Sequence, residues 1–194
     1  MLKVNDIFHS VQGEGFYTGQ LTTFIRLSGC NVKCNIKKFC DTEYNSYKEM
    51  NEDEIISKLK YKTVCITGGE PLEQNIHKLC RKLRESGRQV HIQTSGTIDI
   101  DDDLFSVTNH VVISPKLPVD KLKITRCDEI KVVYIGQNVE SYYKFAGARY
   151  HYIQPVEKNG SFNTKETFEK LSEMANNDKW RFNLQSHKYI KGIK

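Results

Sequence analysis

Short apolar runs alternate with helical patterns along most of the chain, and this alternation constrains the fold more than any other feature. Seven runs are typical of β-strands: residues 22–27, 63–67, 89–93, 110–114, 129–135, 150–154 and 181–185. Three helical patterns lie between them, over residues 52–60, 73–86 and 163–175. Strands that alternate with helices favour a parallel sheet covered by helices. We therefore predict an α/β fold.

The length of the chain limits which parallel fold it can adopt. A complete barrel of eight strand–helix units usually takes roughly 250 residues, whereas this chain has 194. We expect a partial, six-stranded parallel barrel with a reduced set of helices. No repeat, low-complexity segment or linker divides the sequence, so we expect a single domain over residues 1–194.

The predicted helices carry recognisable end signals. Asn51 with Glu54 three residues later is typical of a capping box, and Asn163 with Glu166 repeats the pattern. Gly87 follows the second helical pattern and predicts its end, because glycine readily adopts the left-handed conformation found there.

Composition excludes several classes of protein. No apolar run approaches the roughly 20 residues that cross a bilayer, and the chain begins without an apolar signal core. We expect a cytoplasmic protein with no membrane partner.

The net charge is +5, and both signs are mixed along the chain. A nucleic-acid-binding protein should show a clustered basic surface, so we expect an anionic small ligand or an ordinary solvated surface instead.

The strongest local signal is a group of three cysteines, Cys30, Cys34 and Cys40, in the segment GCNVKCNIKKFCDT. Clustered cysteines in a reducing compartment indicate a metal or redox site. Four thiolates would complete a structural zinc site, whereas three leave a metal centre with an open position. Zinc with His9 as a fourth ligand remains an alternative. Buried, inert cysteine is the simpler interpretation of Cys65 and Cys80, and no motif surrounds Cys127.

Motifs follow several of the predicted strands. Because chemistry in parallel α/β folds gathers at the carboxyl ends of strands, we expect these segments on one rim. They are residues 30–42, 68–71, 94–97, 114–116 and 154–155.

The cysteine group and the sequence TGGEP at residues 67–71 resemble the radical S-adenosylmethionine superfamily. That superfamily usually has the pattern C-x3-C-x2-C, whereas this chain has C-x3-C-x5-C. Extra residues in a loop cost little free energy. The resemblance implies the partial barrel of the radical S-adenosylmethionine type, a four-iron–four-sulfur cluster and S-adenosylmethionine as cofactor.

Further motifs are similar to one family within this superfamily, the 7-carboxy-7-deazaguanine synthases. They are SVQGEG at 10–15, Arg26, CDT at 40–42, QTSGT at 93–97, SPK at 114–116, QP at 154–155 and HK at 187–188. Gln93 replaces the usual glutamate of this family. The resemblance implies conversion of 6-carboxy-5,6,7,8-tetrahydropterin to 7-carboxy-7-deazaguanine with loss of ammonia, in queuosine and deazapurine biosynthesis.

The resemblance also implies roles for individual residues. Three thiolates would hold the cluster, those of Cys30, Cys34 and Cys40. S-adenosylmethionine would contact Phe39, Asp41, Gly69, Glu70, Gly96, Ser114, Pro115, Lys116 and Gln154. The pterin would contact Val11, Gln12, Gly13, Glu14, Arg26, Thr94 and His187. Thr42 resembles the family residue that supplies a hydroxyl to Mg²⁺, although a plain turn residue is the alternative for Thr42, as a surface group is for His187.

The chemistry of these side chains agrees with the implied roles. A planar guanidinium pairs with a carboxylate through two hydrogen bonds, so Arg26 suits the carboxyl group of the substrate. Gln12 and Glu14 offer the donors and acceptors that a guanine-like edge requires. Surface charge and an ordinary polar turn are the corresponding alternatives.

The family resemblance further implies a homodimer and a flavodoxin- or ferredoxin-type electron donor. Two other functions remain open at this point. One is a radical S-adenosylmethionine activase that places a glycyl radical on a partner protein, which would have no use for QGEG or Arg26. The other is a non-catalytic metal-binding module.

Overall fold

The computed structural model describes residues 1–32, 46–158 and 160–190. Nine strands of the described chain form one sheet: β1 (Leu2–Val11), β2 (Leu21–Leu27), β3 (Lys48–Met50), β4 (Thr63–Gly68), β5 (Gln89–Thr94), β6 (His110–Ile113), β7 (Glu129–Tyr134), β8 (Tyr150–Pro155) and β11 (Trp180–Phe182). A small hairpin consists of β9 (Glu157–Lys158) and β10 (Ser161–Phe162). The α-helices are α1 (Glu52–Ile56), α2 (His77–Glu85), α3 (Asp102–Ser106) and α4 (Thr164–Glu173).

The sheet has the order β11-β8-β7-β6-β5-β4-β2-β1-β3. All neighbours from β2 to β11 are parallel, and β1 pairs antiparallel with β2 and β3. The predicted α/β fold with a parallel sheet is confirmed. The parallel part has seven strands rather than six, because the short β11 adds a strand beside β8. In the described part of the chain the sheet does not close into a complete barrel.

The reduced helix complement is also confirmed. Between β6 and β7 the described chain forms a 3₁₀ turn at Val119–Lys121 in place of an α-helix. Two further 3₁₀ turns, Val139–Tyr142 and Phe145–Gly147, connect β7 to β8. These short connections explain how seven parallel strands fit in a chain of this length. No helix of the described residues is long and apolar enough to cross a membrane.

The two faces of the parallel strands have different chemistry, because successive side chains point to opposite faces. One face presents fully buried isoleucines to the hydrophobic core, at positions 25, 66, 92, 130 and 153. The residue after each isoleucine points the other way, and all five are polar: Arg26, Thr67, Gln93, Lys131 and Gln154. The concave face of the sheet is therefore lined with polar groups.

Two of the predicted helix ends agree with the structure. The backbone N–H of Glu54 donates to Asn51 Oδ1 at 2.9 Å, and the N–H of Asn51 donates to Glu54 Oε2 at 2.7 Å, which confirms the capping box. Gly87 follows α2 with φ +76°, as predicted for a helix end. Helix α2 begins only at His77, because the segment after Pro71 forms a 3₁₀ turn first.

The capping box predicted at Asn163 is wrong. Its side chain does not cap α4 but joins two other parts of the chain. Asn163 Oδ1 accepts from the backbone N–H of Val156 at 2.7 Å, and Nδ2 donates to the carbonyl oxygen of Tyr134 at 3.1 Å. These backbone groups follow β8 and end β7. Satisfying them takes precedence over a local cap, because unpaired backbone groups are costly away from water.

Sequence patterns did not predict the short strands β3, β9 and β10, nor two further elements, β1 and α3. Strand β1 mixes polar and apolar residues and shifts register between Val4 and Asp6, which obscures a simple alternation. Helix α3 is only one turn and a half long, although Asp101 caps it by accepting from the N–H of Leu104 at 2.8 Å.

We expect Asn163→Ala to lower the free energy of unfolding by about 1–3 kcal/mol, because it leaves the N–H of Val156 and the carbonyl of Tyr134 without their partner. Urea unfolding would measure the change. Asn176→Ala is the matched control, since Asn176 caps its 3₁₀ turn through no side-chain hydrogen bond. Equal stability losses in the two variants would contradict the bridging role of Asn163.

Candidate active site

A cavity of about 310 Å³ lies at the carboxyl ends of the parallel strands. It is lined by Cys30, Gly68, Gly69, Thr94, Ser95, Ser114, Lys116, Gln154 and Pro155, together with groups from β1, β2 and residues 185–188. The prediction that the motif-bearing segments share one rim is confirmed for the described residues.

Most of the predicted site residues meet in this cavity: Val11, Gln12, Gly13, Glu14, Arg26, Cys30, Gly69, Thr94, Ser114, Lys116, Gln154 and His187. Three others do not line it, namely Glu70, Gly96 and Pro115. The remaining predicted residues lie outside the described chain: Cys34, Phe39, Cys40, Asp41 and Thr42.

The QGEG segment lies in the loop between β1 and β2, which folds over the concave face of the sheet. The loop is closed by hydrogen bonds between the backbones of Gln12 and Gln20 at 2.7 Å and of Gly19 and Gln12 at 2.7 Å. Gly15 has φ +71°, and a Cβ added there would lie 2.0 Å from Glu129 Oε1. A residue with a side chain would therefore strain the backbone and displace the loop from β7.

Glu14 is the most strongly held side chain of the loop. Its Oε2 forms an ion pair with Lys131 Nζ, and its Oε1 accepts from Gln154 Nε2 at 3.3 Å and Gln185 Nε2 at 2.7 Å. Burial alone would raise the pKa of Glu14, but Lys131, Gln185 and nearby His187 together lower this pKa to about 2. Burial opposes the charge of Lys131, yet Glu14 and Glu129 raise its pKa. Both groups of the pair are charged at neutral pH.

The loop continues away from the cavity into a buried cluster at the other end of the strands. Glu129 Oε2 accepts from the backbone N–H of Phe16 at 3.0 Å and lies 3.0 Å from His110 Nε2. Tyr17 packs on His91 with ring centroids 4.4 Å apart. Burial, and then the neighbouring His110, lower the pKa of His91 to about 4, so His91 is neutral at pH 7. These contacts hold residues 16 and 17 of the β1–β2 loop against β5, β6 and β7.

Arg26 contributes a cation to the cavity wall. Its guanidinium lies over the ring of Phe8, 5.2 Å from the centroid, and Phe8 stacks on Phe24 with centroids 5.0 Å apart. None of the described carboxylates pairs with Arg26. A guanidinium held on an aromatic face and facing a cavity is well suited to bind a ligand carboxylate.

Cys30 lies against the glycines that follow β4. A Cβ added to Gly69 would be 2.0 Å from the carbonyl oxygen of Gly29 and 2.7 Å from Cys30 Cβ. The backbone N–H of Glu70 donates to that same carbonyl oxygen at 2.9 Å. The Gly-Gly pair thus lets the backbone after β4 approach the start of the cysteine segment.

Glu70 is fully buried, and its carboxylate points into the protein rather than into the cavity. It accepts from Thr94 Oγ1 at 2.7 Å, from the backbone N–H of Ser95 at 2.8 Å and from Ser95 Oγ at 2.5 Å. It also caps the next 3₁₀ turn through the N–H of Leu72 at 3.1 Å. Glu70 therefore positions the loop after β5, which lines the cavity.

Gly96 acts behind the cavity wall. It has φ +80°, and a Cβ there would press on Ile113 at 3.0 Å and Ile124 at 3.1 Å. Its carbonyl oxygen accepts from the N–H groups of Lys123 and Ile124, which orders the loop after β6. Within that loop Lys116 Nζ donates to Ser114 Oγ at 2.9 Å, and both residues line the cavity.

The other described cysteines are poor metal ligands. Burial raises the pKa of Cys65, Cys80 and Cys127 to about 12, so these thiols remain protonated. Metals bind the thiolate, and none of the three lines the cavity. His9, considered as a fourth zinc ligand, does not line the cavity either, and its Nδ1 lies 3.2 Å from Thr23 Oγ1.

Sequence analysis missed several residues of the cavity, namely Phe8, Phe24, Lys131 and Gln185, and quoted Gln93 and Lys188 in motifs without giving them a role. Lys131 had a detectable signal, because Glu129 and Lys131 alternate with buried Ile130 and Val132 in a predicted strand. Charged residues at every second position of a strand indicate a polar, functional face. Gln185 had no such signal: residues 181–185 were predicted as a strand, but β11 ends at Phe182 and Gln185 lies in the irregular segment that follows.

Comparison with known proteins identifies the family. The chain is 42% identical over 193 residues to a 7-carboxy-7-deazaguanine synthase from Bacteroides thetaiotaomicron, and the alignment covers 98% of each protein. The chain belongs to the 7-carboxy-7-deazaguanine synthase family. A second member, from Rickettsia prowazekii, is 32% identical over 97% of this chain and 88% of that protein.

Two further comparisons agree with this family. The model of the 4Fe-4S single cluster domain family matches residues 11–112. The crystal structure of QueE from Escherichia coli has the same fold, with a TM-score of 0.72, 23% identity and coverage of 96% of this chain and 94% of that one. Membership in the 7-carboxy-7-deazaguanine synthase family makes the protein a radical S-adenosylmethionine lyase with a 4Fe–4S cluster. The activase and the non-catalytic module are excluded.

The described residues fit both cofactors. Cys30 is only partly buried and faces the cavity, in contrast to the three buried cysteines. The backbone beside it has no side chain at Gly68 and Gly69, and both glycines line the cavity. Lys116 offers a positive charge for a carboxylate in the same cavity.

We expect Gly69→Ala to lose most of its iron after reconstitution, because the added methyl group displaces the backbone at Gly29 and Cys30. Gly13→Ala is the matched change on the opposite wall, where the methyl group would overlap His187 Nδ1 at 1.9 Å. It should keep its iron but raise the KM for the pterin by about 10- to 100-fold. Iron analysis and steady-state kinetics separate the two effects, and iron loss in both variants would contradict this division of the cavity.

The stability of the protein should depend on acid through Glu14. Its pKa falls from 4.5 to about 2 on folding, so its ionised form stabilises the fold above pH 4.5 and this stabilisation declines as the pH falls toward 2. The difference in free energy of unfolding between wild type and Glu14→Gln should shrink by on the order of 2 kcal/mol from about pH 6 to about pH 3. Urea unfolding at each pH would measure it. A difference that does not change with pH would show that Glu14 is not held as a carboxylate.

Proposed function

We propose that the protein converts 6-carboxy-5,6,7,8-tetrahydropterin to 7-carboxy-7-deazaguanine with loss of ammonia, as a step of queuosine or deazapurine biosynthesis. One observation carries the proposal: Cys30, the QGEG loop and Arg26 line the same cavity in a chain of this family. The cavity thus joins a cluster ligand to groups suited to a flat, carboxylated heterocycle.

The cofactors would occupy the side of the cavity formed by β4, β5 and β6. Cys30 would hold the cluster together with Cys34 and Cys40. The cluster and S-adenosylmethionine supply radical hydrogen abstraction when they are bound. The carbonyl groups around Gly69 would receive the ammonium group of S-adenosylmethionine.

The proposed contacts with S-adenosylmethionine include a second set of residues. Ser114, Lys116 and Gln154 line the cavity and would contact the cofactor directly. Glu70, Gly96 and Pro115 do not line the cavity. They would act indirectly, by holding the backbone of the loops that line it. Phe39 and Asp41 complete the proposed set.

The pterin would occupy the side formed by the QGEG loop, β2 and residue His187. Arg26 binds the substrate carboxylate through its two parallel N–H groups. Gln12, Glu14 and Thr94 hold the edges of the ring, and Val11 and Gly13 pack against it. Because Gln12 is buried and Glu14 is already held by three donors, the loop is ordered before substrate binds. Less conformational entropy is then lost on binding.

Thr42 would give its hydroxyl to Mg²⁺, with the rest of the coordination shell from substrate oxygens and water. A small ion that retains several waters is usually bound in this way. The ion would neutralise charge on the pterin.

We also propose that residues 1–194 form one domain, that the protein is a cytoplasmic homodimer, and that a flavodoxin or ferredoxin supplies the electron. The continuous sheet from β3 to β11 supports the single domain. The dimer and the electron donor rest on the family resemblance alone.

The first test is an anaerobic assay of the reconstituted protein with S-adenosylmethionine, reductant, Mg²⁺ and carboxytetrahydropterin. We expect 7-carboxy-7-deazaguanine to form. Cleavage of S-adenosylmethionine without a deazapurine would refute the proposed substrate. Cys30→Ala should abolish both product and cluster, whereas Cys80→Ala should retain both, because Cys80 is a buried core thiol.

We expect Arg26→Lys to raise the KM for the pterin by about 10-fold or more with a smaller change in kcat, because an ammonium cannot pair with a carboxylate through two parallel hydrogen bonds. Arg81→Lys is the matched control, since Arg81 pairs with Asp103 on exposed helices. If Arg26→Lys and Arg81→Lys have the same kinetics, Arg26 does not bind the substrate.

A further inference from the structure

Lys131 is a buried cation in the wall of the cavity. Only 4% of its side chain is exposed, and it lies at the centre of β7 facing the concave side of the sheet. The titratable groups around it are Glu14 from the β1–β2 loop, Glu129 on the same strand and Cys65 on β4. Such a lysine is rare unless it is paired or has a function.

Neither member of the Glu14–Lys131 pair uses its full hydrogen-bonding capacity within the described residues. An ammonium group has three N–H donors, and among the described residues only Glu14 accepts one from Lys131 Nζ. A carboxylate offers about four lone-pair positions. The described donors to Glu14 take two on Oε1 and one on Oε2.

The pair therefore presents a free acceptor position on Glu14 Oε2 beside free donors on Lys131 Nζ. Both residues line the cavity. The complementary ligand has an N–H group next to a carbonyl oxygen. This is the arrangement of a lactam, such as N3–H and C4=O of a pterin.

We propose that the Glu14–Lys131 pair recognises the lactam edge of the pterin, and that Lys131 determines specificity for the 4-oxo group. The inference rests on the proposed function. It adds Lys131 to that function as the residue that donates a hydrogen bond to one edge of the ring. Lys131 donates to O4 while Glu14 accepts from N3–H. Arg26 binds the carboxylate of the same molecule.

Replacement of the 4-oxo group by an amino group reverses this pattern. N3 then becomes an acceptor that faces the carboxylate of Glu14, and the 4-amino group becomes a donor that faces the ammonium of Lys131. A site built around hydrogen bonds rejects such an analogue strongly, because its own buried groups are left without partners.

The experiment compares two ligands in isothermal titration calorimetry with the reconstituted holoenzyme and S-adenosylmethionine. One ligand is 6-carboxypterin, and the other is 2,4-diaminopteridine-6-carboxylate, at a pH above the pKa of the protonated diamino ring and below the pKa of the pterin lactam, where both rings are neutral. We expect wild type to prefer the 4-oxo ligand by at least about 10-fold. Lys131→Met should lose most of this preference by weakening the 4-oxo ligand, and Lys131→Arg, which keeps N–H donors, should retain part of it.

Lys82→Met is the matched control, because it removes a lysine that pairs with Asp53 at 2.6 Å outside the cavity. It should keep the wild-type preference. The thermal midpoint of each variant shows whether it is folded. If Lys131→Met does not fold, the wild-type comparison and Lys131→Arg still test the inference.

Two results would overturn the inference and leave the proposed function intact. One is a wild-type enzyme that forms the deazapurine yet binds both ligands equally well. The other is a folded Lys131→Met variant that keeps the full preference. A wild-type enzyme that binds neither ligand and forms no deazapurine would instead overturn the proposed function together with the inference.

Discussion

The buried ion pair between Glu14 and Lys131 is the interaction on which the cavity depends. A carboxylate and an ammonium are costly to remove from water, and they persist in an interior only where charge and hydrogen bonds compensate. Here Lys131, Gln154 and Gln185 compensate Glu14 together. The β1–β2 loop is consequently held at a fixed depth in the concave face of the sheet. Glu129, two residues before Lys131, holds the next part of the same loop through the N–H of Phe16.

A second buried carboxylate organises the opposite side of the cavity. Glu70 belongs to the GGEP motif, and its hydrogen bonds to Thr94 and Ser95 join the loop after β4 to the loop after β5. Two acidic side chains in motifs thus have a shared architectural task. Each accepts hydrogen bonds from parts of the chain distant in sequence, but Glu70 points away from the cavity whereas Glu14 lines it.

Much of this structure could be predicted from the sequence. The parallel strands follow from the apolar runs, and the shared rim follows from the rule that loops after parallel strands meet at one edge. Cys30, Arg26 and the QGEG loop were predicted from motifs, and all of them line the cavity. Those predictions succeed because they depend on local pattern and on a simple topological rule.

The remaining features depend on contacts that a local pattern does not contain. Asn163 resembles a helix cap in sequence but bridges Val156 and Tyr134, which its neighbours do not reveal. The inward direction of Glu70 follows from donors that lie 24 and 25 residues away. Strand β1 pairs with β2 despite a register shift, which conceals its alternation.

The partners of Glu14 have a consequence for the order in which the molecule assembles. They lie 117, 140 and 171 residues further along the chain. Contacts across such distances carry a large loop-closure cost and form after local ones. The part that matches the 4Fe-4S single cluster domain ends at residue 112, before any of these partners. During synthesis the cysteine segment is therefore translated well before the residues that hold Glu14, so we expect the Glu14 side of the cavity to become ordered late.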